Sequence, residues 1–238
     1  MTQPGRIEGV ALVTGGTGGL GRAVLTELLD AGATVMTTWL VEREREAVAA
    51  ELGEREGLHL VQADVLAEGG AEAAVAGAAE LGTLGALVNL VGGFASGERL
   101  HQQPLDQLEK LISLNLLTAG RAARAALPAL IEGGDGAIVC VGARAALAPF
   151  SGGAAYAISK AAVLALVRSL DAEYRDDGVR ANAVLPSVID TPANRAASPD
   201  ADFDRWVQPA EIARVIRFLC SRDSAPISGA EIPVYGRA

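Results

Sequence analysis

Short apolar runs alternate with longer helical stretches from one end of the chain to the other, and that alternation leaves few folds open. The runs are Val10–Thr14, Thr34–Thr38, Leu58–Gln62, Ala86–Leu90, Ala137–Val141, Arg180–Leu185 and Glu231–Val234. The first six are short and almost uniformly apolar, as strands covered on both faces must be. Between the runs, Leu20–Ala31, Glu42–Leu52, Gly70–Glu80, Leu105–Ile131, Ala154–Arg175 and Pro209–Ser221 read as helices. Gly32, Gly53, Gly82, Gly133 and Gly178 stand where helix C-caps belong. The expected fold is α/β, doubly wound. A seven-stranded, mostly parallel sheet carries helices on both faces through right-handed βαβ crossovers. At 238 residues, one domain over 1–238 is expected.

The first run passes directly into Thr14-Gly-Gly-Thr-Gly-Gly-Leu-Gly21, and a helix follows at once. Glycines there permit a tight turn and close approach of backbone to a pyrophosphate. The helix N-terminus adds free N–H groups and the positive end of its dipole. A glycine cluster alone can be only a turn. Placed after the first strand and opening the first helix, it marks a Rossmann-type dinucleotide site.

Composition removes other classes. The net charge of −9 gives no electrostatic footprint for nucleic acid or an anionic membrane surface. Cys140 and Cys220 lie in apolar runs and read as small buried hydrophobes, so neither a disulfide framework nor a metal site is expected. The N-terminus lacks the apolar core of a signal peptide. No run approaches the roughly 18 apolar residues that cross a bilayer. These features lead to the expectation of a cytoplasmic enzyme acting on a small molecule. His59 fits a strand start and His101 a loop, so neither stands out as a catalytic base.

Tyr156 and Lys160 lie four residues apart on an expected helix, so both emerge on one face. Hydride reduction of a carbonyl leaves negative charge on oxygen, which needs a proton. A tyrosine hydroxyl can give it, although its unperturbed pKa is about 10. A neighbouring ammonium stabilises the phenolate and lowers that value.

The spacing Thr14-Gly-x-x-x-Gly19-x-Gly21 resembles the short-chain dehydrogenase/reductase superfamily, and the resemblance extends over almost the whole chain. It takes in Asp64-Val65, Asn89-Leu-Val-Gly92, Asn115, Tyr156-Ala-Ile-Ser-Lys160 and Pro186-Ser-Val-Ile-Asp-Thr191. It implies an NAD(P)(H)-dependent oxidoreductase with Tyr156 as proton donor, Lys160 bonding the nicotinamide ribose, and Asn115 holding a water in a proton relay. It implies cofactor contacts at Gly15, Thr17, Gly19, Leu20, Gly21, Asp64, Val65, Asn89, Val91, Gly92, Pro186, Val188 and Thr191. Asp64 would lie at the adenine and Thr191 at the nicotinamide amide. Read without the family, Asp64 is equally a helix N-cap, and Asn89 or Thr191 equally satisfies a turn. Homo-oligomers, dimer or tetramer, are also implied, through the helices at Leu105–Ile131 and Ala154–Arg175.

The pattern breaks at one place. The family carries a Ser thirteen residues before the Tyr, to bond the substrate oxygen, and here that position is Ala143. A methyl group cannot polarise a carbonyl. Ser151 and Ser159 are close in sequence but off position. The segments Gly142–Leu147, Asp190–Arg195, Ala201–Trp206 and Val91–Gly97 resemble dihydropteridine reductase and its bacterial relatives, where Ala also replaces the Ser. That likeness implies a quinonoid, electron-poor ring as substrate, with Phe94 beside it. Residues 193–207 are the least regular stretch and read as a substrate lid carrying Phe203 and Trp206. The two aromatics serve equally well as hydrophobic anchors.

The second run ends Thr37-Thr-Trp-Leu40 without the acid that receives the ribose hydroxyls in NAD-selective sites. Gly18 and Leu40 fill the positions of the usual basic residues. Thr38, Arg43 and Arg45 remain able to reach a 2′-phosphate, which inclines the reading slightly to NADP. The competing class is a non-catalytic dinucleotide-binding regulator. Retention of Tyr156, Lys160 and Asn115 argues against it.

Overall fold

A computed structural model describes residue 5, residues 7–53 and residues 55–237. Seven strands form one parallel sheet in the order β3-β2-β1-β4-β5-β6-β7. They are β1 Val10–Thr14, β2 Thr34–Trp39, β3 Leu58–Gln62, β4 Leu84–Asn89, β5 Gly136–Val141, β6 Val179–Pro186 and β7 Glu231–Val234. The helices are α1 Gly19–Asp30, α2 Glu42–Leu52, α3 Gly70–Leu81, α4 Leu105–Leu111, α5 Thr118–Gly133, α6 Ala154–Tyr174, α7 Pro192–Ala197 and α8 Pro209–Cys220. Among the described residues no helix is long and apolar enough to cross a membrane.

Two cores flank the sheet, and the two-residue period of the strands sorts side chains between them. Val10 and Leu12 of β1, Ile138 and Cys140 of β5, and Ala181, Ala183 and Leu185 of β6 face α3, α5 and α6. Their neighbours Ala11, Val13, Ala137, Val139 and Val184 face α1, α2 and α8. Alanine lines the inner faces of α3 and α5, at Ala71, Ala74, Ala78, Ala119, Ala122, Ala123 and Ala126, all buried. Small side chains let these helices lie close to the sheet, so a chain with 4% aromatic residues still closes its core.

Three expectations need correction. β3 is an edge strand with His59 and Leu60 exposed, not covered on both faces. The stretch expected as one helix from Leu105 to Ile131 is interrupted by a π-helical segment, Ile112–Leu117. The left-handed cap after α5 is Gly134 (φ 74°), one residue beyond Gly133, which remains helical.

The strand order reverses direction between β1 and β4, and the carboxyl ends of these strands open a crevice there. Ile138 is fully buried in β5. The Ile138→Ala variant is expected to lose about 2–5 kcal/mol of unfolding free energy in urea titration. A loss below about 1 kcal/mol would contradict a close-packed site at this strand.

Candidate active site at the carboxyl ends of the strands

The glycine turn folds back on its own helix. A Cβ on Gly21 would stand 2.4 Å from the Gly16 carbonyl oxygen, and one on Gly16 would stand 2.2 Å from Thr37 Oγ1. Gly15 has φ +74°, the left-handed region that glycine occupies freely. The N-cap of α1, Gly18, offers no side chain, so the first N–H groups of α1 carry no side-chain cap. Two hydroxyls brace the loop. The Gly15 N–H donates to Thr38 Oγ1 at 3.1 Å, and the Thr17 hydroxyl donates to Glu44 Oε2 at 2.9 Å. An uncapped helix start beneath a loop whose one side chain, Thr17, is tied to Glu44 fits a pyrophosphate.

Other expected cofactor positions gather around this turn. The Thr14 hydroxyl donates to Asn89 Oδ1 at 2.7 Å, tying the ends of β1 and β4 together. A Cβ on Gly19 would lie 3.1 Å from the Thr191 methyl, so the loop after β6 reaches the start of α1. A Cβ on Gly15 would touch Val91 at 3.0 Å. Some expected contacts have structural work of their own. Asp64 accepts from the Leu66 N–H at 2.8 Å, capping a turn rather than α3. Val65 is a core side chain. Thr191 is the N-cap of α7 and accepts from the Asn194 N–H. Pro186 ends β6, and Val188 is exposed just beyond it.

Tyr156 and Lys160 share the first turns of α6. Lys160 is buried and its Nζ donates to the Val141 carbonyl at 2.8 Å. Burial brings its pKa down to about 8, so the ammonium persists at neutral pH and is lost above that value. Tyr156 is half-buried and its ring meets Phe94 edge-on, centroids 4.9 Å apart. Burial pushes its hydroxyl up to about 12, above the ordinary value and not below it as expected beside an ammonium, which keeps the phenol protonated. Gly92 lets the two regions meet. A Cβ there would lie 2.7 Å from Asn115 Oδ1 and 3.3 Å from Lys160 Nζ.

Asn115 stands in the π-helical segment, buried, and its amide is fully engaged. Oδ1 accepts from the Gly93 N–H at 2.8 Å, while Nδ2 donates to the Gly93 carbonyl at 3.1 Å and to Ser159 Oγ at 2.8 Å. Ser159 donates in turn to the Tyr156 carbonyl. The Asn115 side chain therefore braces the loop after β4 against α6, and the Ser159 hydroxyl is part of that brace. Ala143 is buried, and its carbonyl accepts from the Ala146 N–H.

Phe150 was invisible as a site residue in the sequence. Its ring stacks at 6.4 Å from Phe94, and both are well exposed. The only sequence signal is its place six residues before Tyr156. The stretch 193–207 is less irregular than expected, since it contains α7 and a 3₁₀ turn at Phe203–Arg205. Phe203 and Trp206 contact each other edge-on at 4.9 Å, and the Arg195 guanidinium lies 4.5 Å from the Phe203 centroid. Among the described residues their aromatic contacts are with this cluster and not with Phe94 or Tyr156. Asp190 holds the base of the segment, accepting from Arg195 Nη2 at 2.7 Å and from Gln208 Nε2 at 2.8 Å.

The profile of the short chain dehydrogenase family matches residues 9–202. The chain belongs to the short-chain dehydrogenase/reductase family. As a member, it is an NAD(P)(H)-dependent oxidoreductase acting on a small molecule. It is 34% identical to 2-(R)-hydroxypropyl-CoM dehydrogenase of Xanthobacter autotrophicus, over 95% of this chain and 97% of that protein. The NADPH-bound structure of a short-chain oxidoreductase from Pseudomonas aeruginosa, described as containing an atypical catalytic center, superposes with a TM-score of 0.88. It shares 30% identity, and 96% of each chain is covered. ElxO with NADP bound gives a TM-score of 0.89 at 25% identity, covering 96% of this dehydrogenase/reductase and 97% of that chain.

The hydrogen bonds from Arg195 and then Gln208 hold Asp190 at about 2, below the ordinary aspartate value near 3.9. The tie therefore contributes fully above about pH 4 and is lost as pH falls towards 2. In a carboxyl-carbon NMR titration Asp190 is expected to show a midpoint near 2. A midpoint near 4 would mean that Arg195 does not engage it.

Proposed function

We propose that this chain reduces a carbonyl or quinonoid carbon of a small cyclic or aromatic substrate, with Tyr156 as the proton donor. The observation that carries this reading is the state of the Tyr156 hydroxyl. It forms no hydrogen bond to the described residues, stays protonated, and sits one helical turn from a buried ammonium. The bound dinucleotide supplies the hydride. Gly15, Thr17, Gly19, Leu20 and Gly21 hold its pyrophosphate, with Asp64, Val65, Asn89, Val91, Gly92, Pro186, Val188 and Thr191 around the rest. Support comes from the uncapped start of α1 and the approach of Thr191 to Gly19.

In this reading the proton passes from Tyr156 Oη to the substrate oxygen. Lys160 stabilises the phenolate left behind through its charge. Asn115 and Ser159 keep the loop after β4 and the start of α6 in register, which fixes the distance between Gly92 and Lys160. NADPH is the favoured cofactor, because β2 ends without an acid at Trp39 and Leu40 and two structural neighbours hold NADP or NADPH.

Ala143 favours substrates that need little polarisation, quinonoid dihydropterins included, since its methyl offers the oxygen no donor. Phe94 and Phe150 add an exposed aromatic wall suited to a flat ring. The stretch 193–207, with Phe203 and Trp206, serves as the cover of one cytoplasmic domain, 1–238. The Asp190–Arg195 tie at its base gives it a fixed pivot. A homo-oligomer forms through the outer faces of α5 and α6, where Leu117, at the end of the π-helical segment just before α5, and Ile158 of α6 are exposed apolar side chains.

Tyr156→Phe is expected to lower turnover at least about a thousandfold while NADPH titration still shows binding. Turnover within about tenfold of the parent chain would refute the donor role. Ala143→Ser is expected to raise kcat/KM on simple ketones more than on quinones or quinonoid dihydropterin. The reverse change in selectivity would contradict the account of the missing hydroxyl. Reductive turnover is also expected to decline as pH rises through about 8, where Lys160 loses its proton. A flat profile from pH 7 to 9.5 would remove Lys160 from the proton-transfer step.

A further inference from the structure

Glu44 is the third residue of α2, and its carboxylate is bonded across to the glycine turn at Thr17. In Rossmann-type sites the adenosine ribose lies over the end of the second strand, where an acid about 20 residues beyond the glycine motif receives its hydroxyls. The strand end here, Trp39-Leu40-Val41, has no acid. The fold nevertheless brings one to the same side of the loop by way of the next helix. We infer that Glu44 is the residue that discriminates between NADPH and NADH, as a carboxylate set against the 2′-phosphate.

The surroundings fit that role. Thr17 is buried, so the bond from its hydroxyl holds Glu44 against the turn instead of letting it swing freely in solvent. Glu44 forms no ion pair among the described residues. Arg45, one of the two cations adjacent in sequence, is committed to Glu42 through a 2.7 Å bond from its Nε and lies 5.5 Å from the Trp39 ring centroid. Arg43 is exposed. The first turn of α2 thus presents Glu42 and Glu44 where a helix start would otherwise attract an anion. A ribose 2′-hydroxyl can donate to such a carboxylate. A 2′-phosphate there meets a like charge, and the carboxylate must leave Thr17 or the phosphate must find Arg43. Glu44 therefore opposes the NADPH preference and limits its size.

The inference rests on the dinucleotide lying on the glycine turn, and the test separates the two. Fluorescence titration without substrate would give Kd for NADPH and for NADH with the parent chain, Glu44→Gln and Glu46→Gln. Glutamine keeps an oxygen for the Thr17 hydroxyl and removes only the charge, so a merely bracing role would leave selectivity unmoved. In Glu44→Gln the NADH-to-NADPH ratio of Kd values is expected to rise about tenfold, equivalent to 1.4 kcal/mol. In Glu46→Gln, on the same helix, it is expected to stay within about twofold of the parent. A rise in Glu44→Gln of less than about fivefold, or a fall, would overturn the inference. Should Glu44→Gln fail to fold, Glu44→Ala carries the same expected rise and the same threshold. Failure of the parent chain to bind either dinucleotide would sink the cofactor reading itself, and this inference with it.

Discussion

The contact between Gly16 and Gly21 makes the rest of the site possible. With no side chain at either position, the chain leaves β1, turns, and enters α1 with the Gly16 carbonyl almost against the Gly21 α-carbon. The turn is short enough for α1 to start at the carboxyl end of β1 with its first N–H groups carrying no side-chain cap. Any β-carbon at Gly21 would clash with the backbone of Gly15 and Gly16, so the helix or the turn would have to move. The loop after β6, held near Gly19 by Thr191, would then lose its neighbour. Thr38, Glu44 and the Thr14–Asn89 bond hold this geometry from three sides.

The chemistry depends on a second close approach, at Gly92. Asn115 in the π-helical segment pins the loop after β4, and Ser159 links the same amide to the Tyr156 carbonyl. One network therefore sets both the height of the loop and the position of α6. Burial acts in opposite directions on the two titratable groups. It favours the neutral phenol at Tyr156 and loosens the proton on Lys160.

Much of this was legible in the residues because it depends on local pattern. Each of the seven strands begins and ends within about two residues of the apolar runs, and the glycine turn, Tyr156 and Lys160 stand on the expected elements. The substitution at Ala143 was equally plain. What escaped depends on three-dimensional context. Apolarity cannot tell the edge strand β3 from a central one, since its cover is decided by strand order. The π-helical segment has no compositional mark. The meeting of Glu44 with Thr17 and of Phe150 with Phe94 joins residues far apart in sequence, and no spacing rule anticipates either.

A crystal structure with bound NADPH and a substrate analogue tests the central claim most directly. The account predicts the pyrophosphate against the N–H groups of Gly19 and Leu20, and the nicotinamide between Thr191 and Tyr156. The Tyr156 hydroxyl should lie within hydrogen-bond reach of the substrate oxygen. A dinucleotide bound away from the glycine turn, or a Tyr156 hydroxyl directed away from the reacting carbon, would contradict it.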